Sequence, residues 1–164
     1  MDIRIGHGFD VHALADGLRL VLCGVEIEHT KGCVAHSDGD VAIHAICDSL
    51  LGALALGDIG KLFPDSDARY KGIDSRLLLK EVVNVVKGKG YSISNIDCTI
   101  AMQRPKLRPH IDTMRERLAE VIGIDVDRIS VKATTTERLG FEGREEGVST
   151  TAVSLLIKDP DSNI

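Results

Sequence analysis

The sequence predicts an α+β fold, an α/β sandwich in which a mixed β-sheet carries its helices on one face. Three observations lead there. Segments with strand-like and helix-like patterning follow one another in mixed order, the pattern of helices layered on one sheet. The 164 residues are close to the modal size of one domain and contain no internal repeat or linker. Apolar residues make up 43% of the chain, yet only 3% is aromatic and there is no Trp, so the core must rest on Ile, Leu, Val and Ala.

In chain order, residues 3–12 and 18–28 read as two strands or a hairpin, joined across the Ala15-Asp16-Gly17 turn. A loop of small and polar residues follows from His29 to Asp38. Ser37 then reads as the N-cap of a first helix, with Asp40 as its capping-box partner. Val41, Ala45, Leu51 and Leu54 keep a 3.6-residue rhythm to Leu56, and Gly57 stops it. Residues 58–73 read as an ordered, irregular loop, and a loop of that length inside a compact domain tends to be functional. A second helix is expected from Ser75 to Val86, closed by Gly88 and Gly90, and a strand from Ser92 to Met102. Pro109 opens a third helix whose Ile111, Met114, Leu118 and Val121 form one stripe, ended by Gly123. Ile129–Ala133 and Val148–Ile157 are further strands, separated by a Gly-punctuated loop at 138–147. One catalytic domain over 1–158, with a frayed tail at 159–164, completes the reading.

Net charge is -5 and the isoelectric point near 5.6, which argues against nucleic acid or an anionic membrane as partner. A locally positive pocket for a small anion stays open. Cys23, Cys33, Cys47 and Cys98 form no C-x-x-C pair, so reduced, buried thiols in a cytoplasmic protein are expected. The N-terminus has no leader-like pattern, and no apolar run reaches membrane-spanning length.

Chemistry enters with Asp10-x-His12. Residues two apart on a strand share a face, so this carboxylate and imidazole converge, and zinc favours such ligands. His44 on the first helix is the third candidate ligand, with Asp40 or Asp48, one turn away, as acceptor for its second ring proton. From spacing alone, two surface histidines and an aspartate fit equally. Lys132-Ala133-Thr134-Thr135-Thr136-Glu137 ends a strand in three hydroxyls and a carboxylate, suited to phosphate and Mg²⁺, or to a plain Thr-rich cap. Arg104-Pro105-Lys106 offers two cations beside a rigid Pro, and Asp58, Asp65 and Asp67 make an acidic loop for sugar hydroxyls, metal or solvent.

In combination these blocks resemble the 2-C-methyl-D-erythritol 2,4-cyclodiphosphate synthases. Ile5–His12 is similar to that family's opening motif and Ala35–Ala45 to its second. Leu56–Asp65, Pro105-Lys106-Leu107, Lys132–Glu137 and Leu139-Gly140-Phe141 follow in the family's order, from about residue 3 to residue 158.

The resemblance implies a lyase of the non-mevalonate isoprenoid pathway that cyclises 4-diphosphocytidyl-2-C-methyl-D-erythritol 2-phosphate and releases CMP. It implies one Zn²⁺ per chain on Asp10, His12 and His44, which leaves a coordination position open to substrate, and Mg²⁺ or Mn²⁺ held by Glu137 and the substrate phosphates. His36 and Thr135 are then the catalytic, transition-state-stabilising residues, with Ser37, Thr134 and Thr136 on phosphate oxygens. Asp58 accepts from the erythritol hydroxyls, under a loop containing Ile59, Gly60, Phe63, Pro64, Asp65, Ser66 and Asp67. Lys106 holds the cytidine side, and Phe141 joins the substrate contacts. The resemblance further implies a homotrimer with active sites between subunits and Arg144 facing the threefold axis. A metal-dependent phosphoester hydrolase and a non-enzymatic trimeric scaffold are the competing readings.

Overall fold

Strand β1, Ile3–Asp16, is the spine of the molecule, and the computed structural model describes residues 2–64 and 66–160 around it. β1 pairs antiparallel with β7 (Gly147–Lys158) on one side and with the short β4 (Lys31–Cys33) on the other. β7 pairs antiparallel with β5 (Tyr91–Ala101), which pairs parallel with β6 (Ile129–Thr134). The order β4-β1-β7-β5-β6 is the mixed sheet expected.

The segment 18–28 departs from expectation. It forms a separate two-stranded hairpin, β2 (Leu20–Leu22) and β3 (Val25–Ile27), rather than pairing with β1. Cys23 and Gly24, at φ 52° and 72°, make the tight turn that divides it.

Helices α1 (Val41–Ala53), α3 (Ser75–Gly88) and α4 (Ile111–Ile122) cover one face of the sheet. Within the irregular 58–73 stretch lie a one-turn helix, α2 (Ile59–Leu62), and a 3₁₀ turn at Ala68–Tyr70. A second one-turn helix, α5 (Gly140–Gly143), precedes β7. The third helix ends as its sequence signals: Gly123 adopts φ 78° and its N–H donates to Ala119 O at 2.8 Å.

Glycine sets how closely α1 approaches the sheet. A Cβ on Gly6 would lie 1.7 Å from Ser49 O, and one on Gly8 1.9 Å from Ala45 O, so the helix backbone rests directly on β1. Ile43, Ile46 and Leu50 then reach the fully buried core with Ile96, Ile100 and Leu118. The α1 N-cap is Asp40, not Ser37. Fully buried, Asp40 accepts from the N–H of Ile43 (3.0 Å), Cys23 (2.9 Å) and Gly24 (2.6 Å), clamping the hairpin to the helix start. Burial pushes its carboxyl up to about 6 against the pull of those donors.

At its β1 edge the opposite sheet face exposes a row of apolar side chains, while its β5 and β6 side carries the Asp97–Lys132 ion pair. Alternate β1 side chains Ile3, Ile5, Phe9 and Val11 point away from the helices beside Val153 of β7, with Ile5 70% and Phe9 54% exposed. All four cysteines are free and buried. Asp159 donates its N–H to Gly90 O, and residues 161–164 of the expected tail lie outside the described residues. No helix among the described residues is long and apolar enough to cross a membrane.

Candidate metal and substrate site

Asp10 and His12 leave β1 on its helix-covered face, and α1 brings His44 over them because no Cβ stands between Gly8 and Ala45. Asp10 Oδ2 lies 2.8 Å from His12 Nε2 and 3.1 Å from His44 Nδ1, and the two ring nitrogens are 3.3 Å apart. One ligand atom from each residue falls within 4.8 Å of the others, so the three form a candidate metal site. Burial alone would raise the Asp10 carboxyl, but hydrogen bonds from His12 and His44 overcome it and hold it well below the usual carboxylate range. Burial likewise opposes charge on His44, and the Asp10 contact reverses this, leaving its imidazole above the ordinary value. A carboxylate held ionised against two imidazoles is a donor set suited to a divalent cation.

The outer contacts of His44 differ from the sequence expectation. Neither Asp40 nor Asp48 takes its second ring nitrogen. Asp40 is committed to three backbone N–H groups, and Asp48 Oδ1 accepts from Ile59 N at 2.7 Å, pinning α2 to α1. His44 Nε2 instead faces Ser75 Oγ at 3.0 Å and Ser37 Oγ at 3.2 Å. Ser75, the first residue of α3, had no sequence signal toward this site. Its hydroxyl arrives through tertiary packing from 31 positions away.

The metal residues line a cavity of about 370 Å³ whose walls also include His36, Ser37, Ile59, Gly60 and Phe63. His36 Nε2 is buried there without a hydrogen-bond partner among the described residues. Tyr70, unassigned by sequence, packs edge-on against Phe63 with ring centroids 5.3 Å apart. Asp58 caps α2 through Lys61 N, and Asp67 is paired with Arg69. Pro64 and Ser66 flank Asp65, which lies outside the described residues.

A second cavity, of about 570 Å³, is lined by Lys106, Thr134 and Thr135 with Gln103 and Met102. Thr136, half-buried with its hydroxyl donating to Leu139 O at 2.6 Å, and the exposed Glu137 continue this loop. Thr135 Oγ1 donates to Glu137 Oε1 at 3.1 Å, and the Arg138 N–H donates to Gln103 Oε1 at 3.2 Å. Glu137 and Arg138 are both left-handed, at φ 54° and 64°, which turns the loop sharply out of β6. Phe141 packs under Gly147, and Arg144 is paired with Glu146 at 3.0 Å.

The two cavities belong to different parts of the sheet. Asp10, Thr150, Ile100 and Ala133 are register partners across β1, β7, β5 and β6. Three inter-strand steps separate Asp10 from Ala133, a span of about 14 Å. Within one chain, therefore, the metal residues and the Thr134–Glu137 loop do not converge.

A family model described as the YgbB family matches residues 3–157. Among curated proteins, a 2-C-methyl-D-erythritol 2,4-cyclodiphosphate synthase of Ectopseudomonas mendocina is 59% identical over 156 residues, covering 95% of this chain and 99% of that protein. The one from Mannheimia succiniciproducens is 60% identical, with 95% and 98% covered. Among solved structures, a CDP-bound 2C-methyl-D-erythritol-2,4-cyclodiphosphate synthase superposes with TM-score 0.87 at 40% identity, covering 94% of this chain and 100% of that one. The bifunctional IspDF of Campylobacter jejuni gives TM-score 0.92 at 44% identity, with 96% of this chain corresponding to 42% of that longer one.

Proposed function

The chain belongs to the YgbB family, and from that premise we propose that it makes 2-C-methyl-D-erythritol 2,4-cyclodiphosphate at a site completed by two copies of itself. The reaction is a cyclisation. An oxygen of the substrate's own 2-phosphate attacks the β-phosphorus of its cytidyl diphosphate, the bond to the α-phosphate oxygen breaks, and CMP leaves with that oxygen. No protein nucleophile is required. The protein's task is to bring two anionic groups together and offset their repulsion.

Asp10, His12 and His44 would hold Zn²⁺, since the donor set suits it and tetrahedral ligand atoms about 2.1 Å from zinc stand about 3.4 Å from one another, within a few tenths of an ångström of the separations seen here. Bound there, zinc would supply a Lewis acid for a β-phosphate oxygen. Glu137 would hold Mg²⁺ or Mn²⁺ jointly with the substrate. His36 supplies the unpartnered ring nitrogen in the zinc cavity, able to donate to phosphate oxygens as charge develops, and Thr135 a hydroxyl at the other side that would turn to phosphate once Glu137 is taken up by a metal. Ser37 adds a hydroxyl donor, and Thr134 and Thr136 would add theirs by turning from Thr135 O and Leu139 O. Asp58, Ile59, Gly60, Phe63, Pro64, Asp65, Ser66 and Asp67 would surround the erythritol end, and Lys106 with the 102–108 backbone the cytidine end. Phe141 would support the substrate side of the same loop.

The observation that supports the two-copy reading is the strand order, which sets the Asp10 and Ala133 backbones about 14 Å apart and opens the two cavities at different parts of the sheet. The bare face bearing Ile3, Ile5, Phe9 and Val153 supports a homotrimer, since a patch of that kind on a small domain calls for a partner. Threefold closure would bring Arg144 toward the axis and make three clefts. We read residues 1–158 as one catalytic domain, working in the cytoplasm with reduced thiols. Incubation with the cytidyl substrate, zinc and Mg²⁺ tests the reaction by phosphorus NMR. Equal amounts of CMP and a cyclic diphosphate are expected. A linear phosphate product with water incorporated would make the protein a hydrolase instead.

A further inference from the structure

We infer that Ser75 and Asp38 form a positioning relay for His44, holding hydrogen on Nε2 so that Nδ1 is the nitrogen that offers its lone pair when a metal binds. The inference rests on reading Asp10, His12 and His44 as a metal site, and concerns residues outside that ligand set.

The contacts specify direction. Asp38 accepts from the Ser75 hydroxyl at 2.5 Å (Oδ1), from the Ser75 N–H at 3.0 Å (Oδ2) and from the Asp40 N–H at 3.2 Å (Oδ1). A serine hydroxyl has one proton, and Ser75 gives it to Asp38. Toward His44 Nε2, 3.0 Å away, Ser75 Oγ can therefore only accept. Nε2 must carry hydrogen, so the nitrogen that gives up its proton when a cation binds is Nδ1, which without metal donates to the Asp10 carboxylate at 3.1 Å. Ser75 is fully buried, so water cannot replace this contact. Ser37 Oγ, 3.2 Å from the same nitrogen, accepts from Gly39 N at 3.2 Å. With its acceptor side engaged by two donors, Ser37 keeps its own proton available for a phosphate oxygen. The two serines thus divide the work, Ser75 orienting the ligand and Ser37 meeting the substrate.

The arrangement is a histidine–carboxylate pair with one hydroxyl inserted. Partners of this kind fix ring orientation and raise ligand basicity, and removing one typically costs about 10–100-fold in metal affinity. A purely structural role, anchoring the start of α3, is carried by the Ser75 N–H to Asp38 bond, which Ser75→Ala retains.

The test uses the full-length protein. In the zinc-loaded form with ¹⁵N-labelled histidine, long-range proton–nitrogen spectra should show His44 with hydrogen on Nε2 and metal on Nδ1. Ser75→Ala should speed exchange of the Nε2 hydrogen with water and, by chelator competition, bind Zn²⁺ about 10–100-fold more weakly with its melting curve little changed. Asp38→Asn, which keeps an oxygen acceptor but removes its charge, should fall between the two and serves if Ser75→Ala does not fold. Unchanged exchange of the Nε2 hydrogen with unchanged zinc affinity in these variants would overturn the relay while leaving the metal site standing. A parent protein that binds no zinc would overturn the metal assignment itself, and the relay with it.

Discussion

Replacing Gly8 with Ala should dismantle the metal site without touching a ligand. The added Cβ would sit 1.9 Å from Ala45 O, 2.8 Å from Ser49 N and 2.9 Å from Ala45 C, all backbone atoms that cannot rotate away. Ordinary contact begins near 3.4 Å, so α1 must back off β1 by about 1.5 Å. Forced overpacking of this kind costs about 1–3 kcal/mol, and for a chain of this size that is a fall in melting temperature of about 2–12 °C. Function should suffer more than stability. His44 precedes Ala45 on the displaced helix, whereas metal–ligand distances tolerate only about 0.2 Å of error. Elemental analysis of purified Gly8→Ala should find zinc largely lost from a protein that still folds. Gly52→Ala is the matched control on the same helix. Its Cβ would meet only His7 O, at 3.7 Å, and helix propensity predicts a gain of about 0.5–1 kcal/mol. A Gly8→Ala protein with one zinc per chain and parental melting would refute the account of how α1 delivers His44.

Two further outcomes follow from the other half of the site and from the bare sheet face. Glu137→Gln should leave zinc bound but lower turnover about a hundredfold or more, because a charge clamp used in the transition state is lost; unchanged rates at limiting Mg²⁺ would remove Glu137 from the metal-binding set. Ile5→Glu places a charge at the most exposed apolar position of β1, and sedimentation should then report a monomer with folded helices and no activity. A stable trimer carrying that substitution would mean that this face is not the one between copies.

How much of this was legible in the sequence depended on whether the determining contact was local. Amphipathic rhythm and glycine stops located α1, α3 and α4 to within a few residues, as with Gly123. Alternation located β5, β6 and β7 in the same way. Asp10, His12 and His44 converge as expected because strand period two and one helix crossing bring them together. The failures are non-local. Asp40 displaced Ser37 as N-cap because its carboxylate is also claimed by the hairpin turn at Cys23 and Gly24, a contact no helix pattern encodes. The segment 18–28 looked like one strand because Cys23 gives no sign of its positive φ. Ser75 reaches His44 only through the packing of α3 on α1. The 14 Å between the two half-sites needed the strand order, which periodicity does not supply.

The most direct test of the shared site is complementation between two inactive proteins. His44→Ala spoils the zinc half of every cleft and Lys106→Ala the cytidine half. After equal mixing and random exchange into cyclic trimers, a cleft is intact when its zinc half comes from the Lys106→Ala chain and its cytidine half from a His44→Ala neighbour. Each choice has an even chance, so about a quarter of clefts should recover. Activity near a quarter of the parental rate, with exchange verified by mass spectrometry, is the predicted result. Demonstrated exchange with no returning activity would place both halves in one chain and contradict the account.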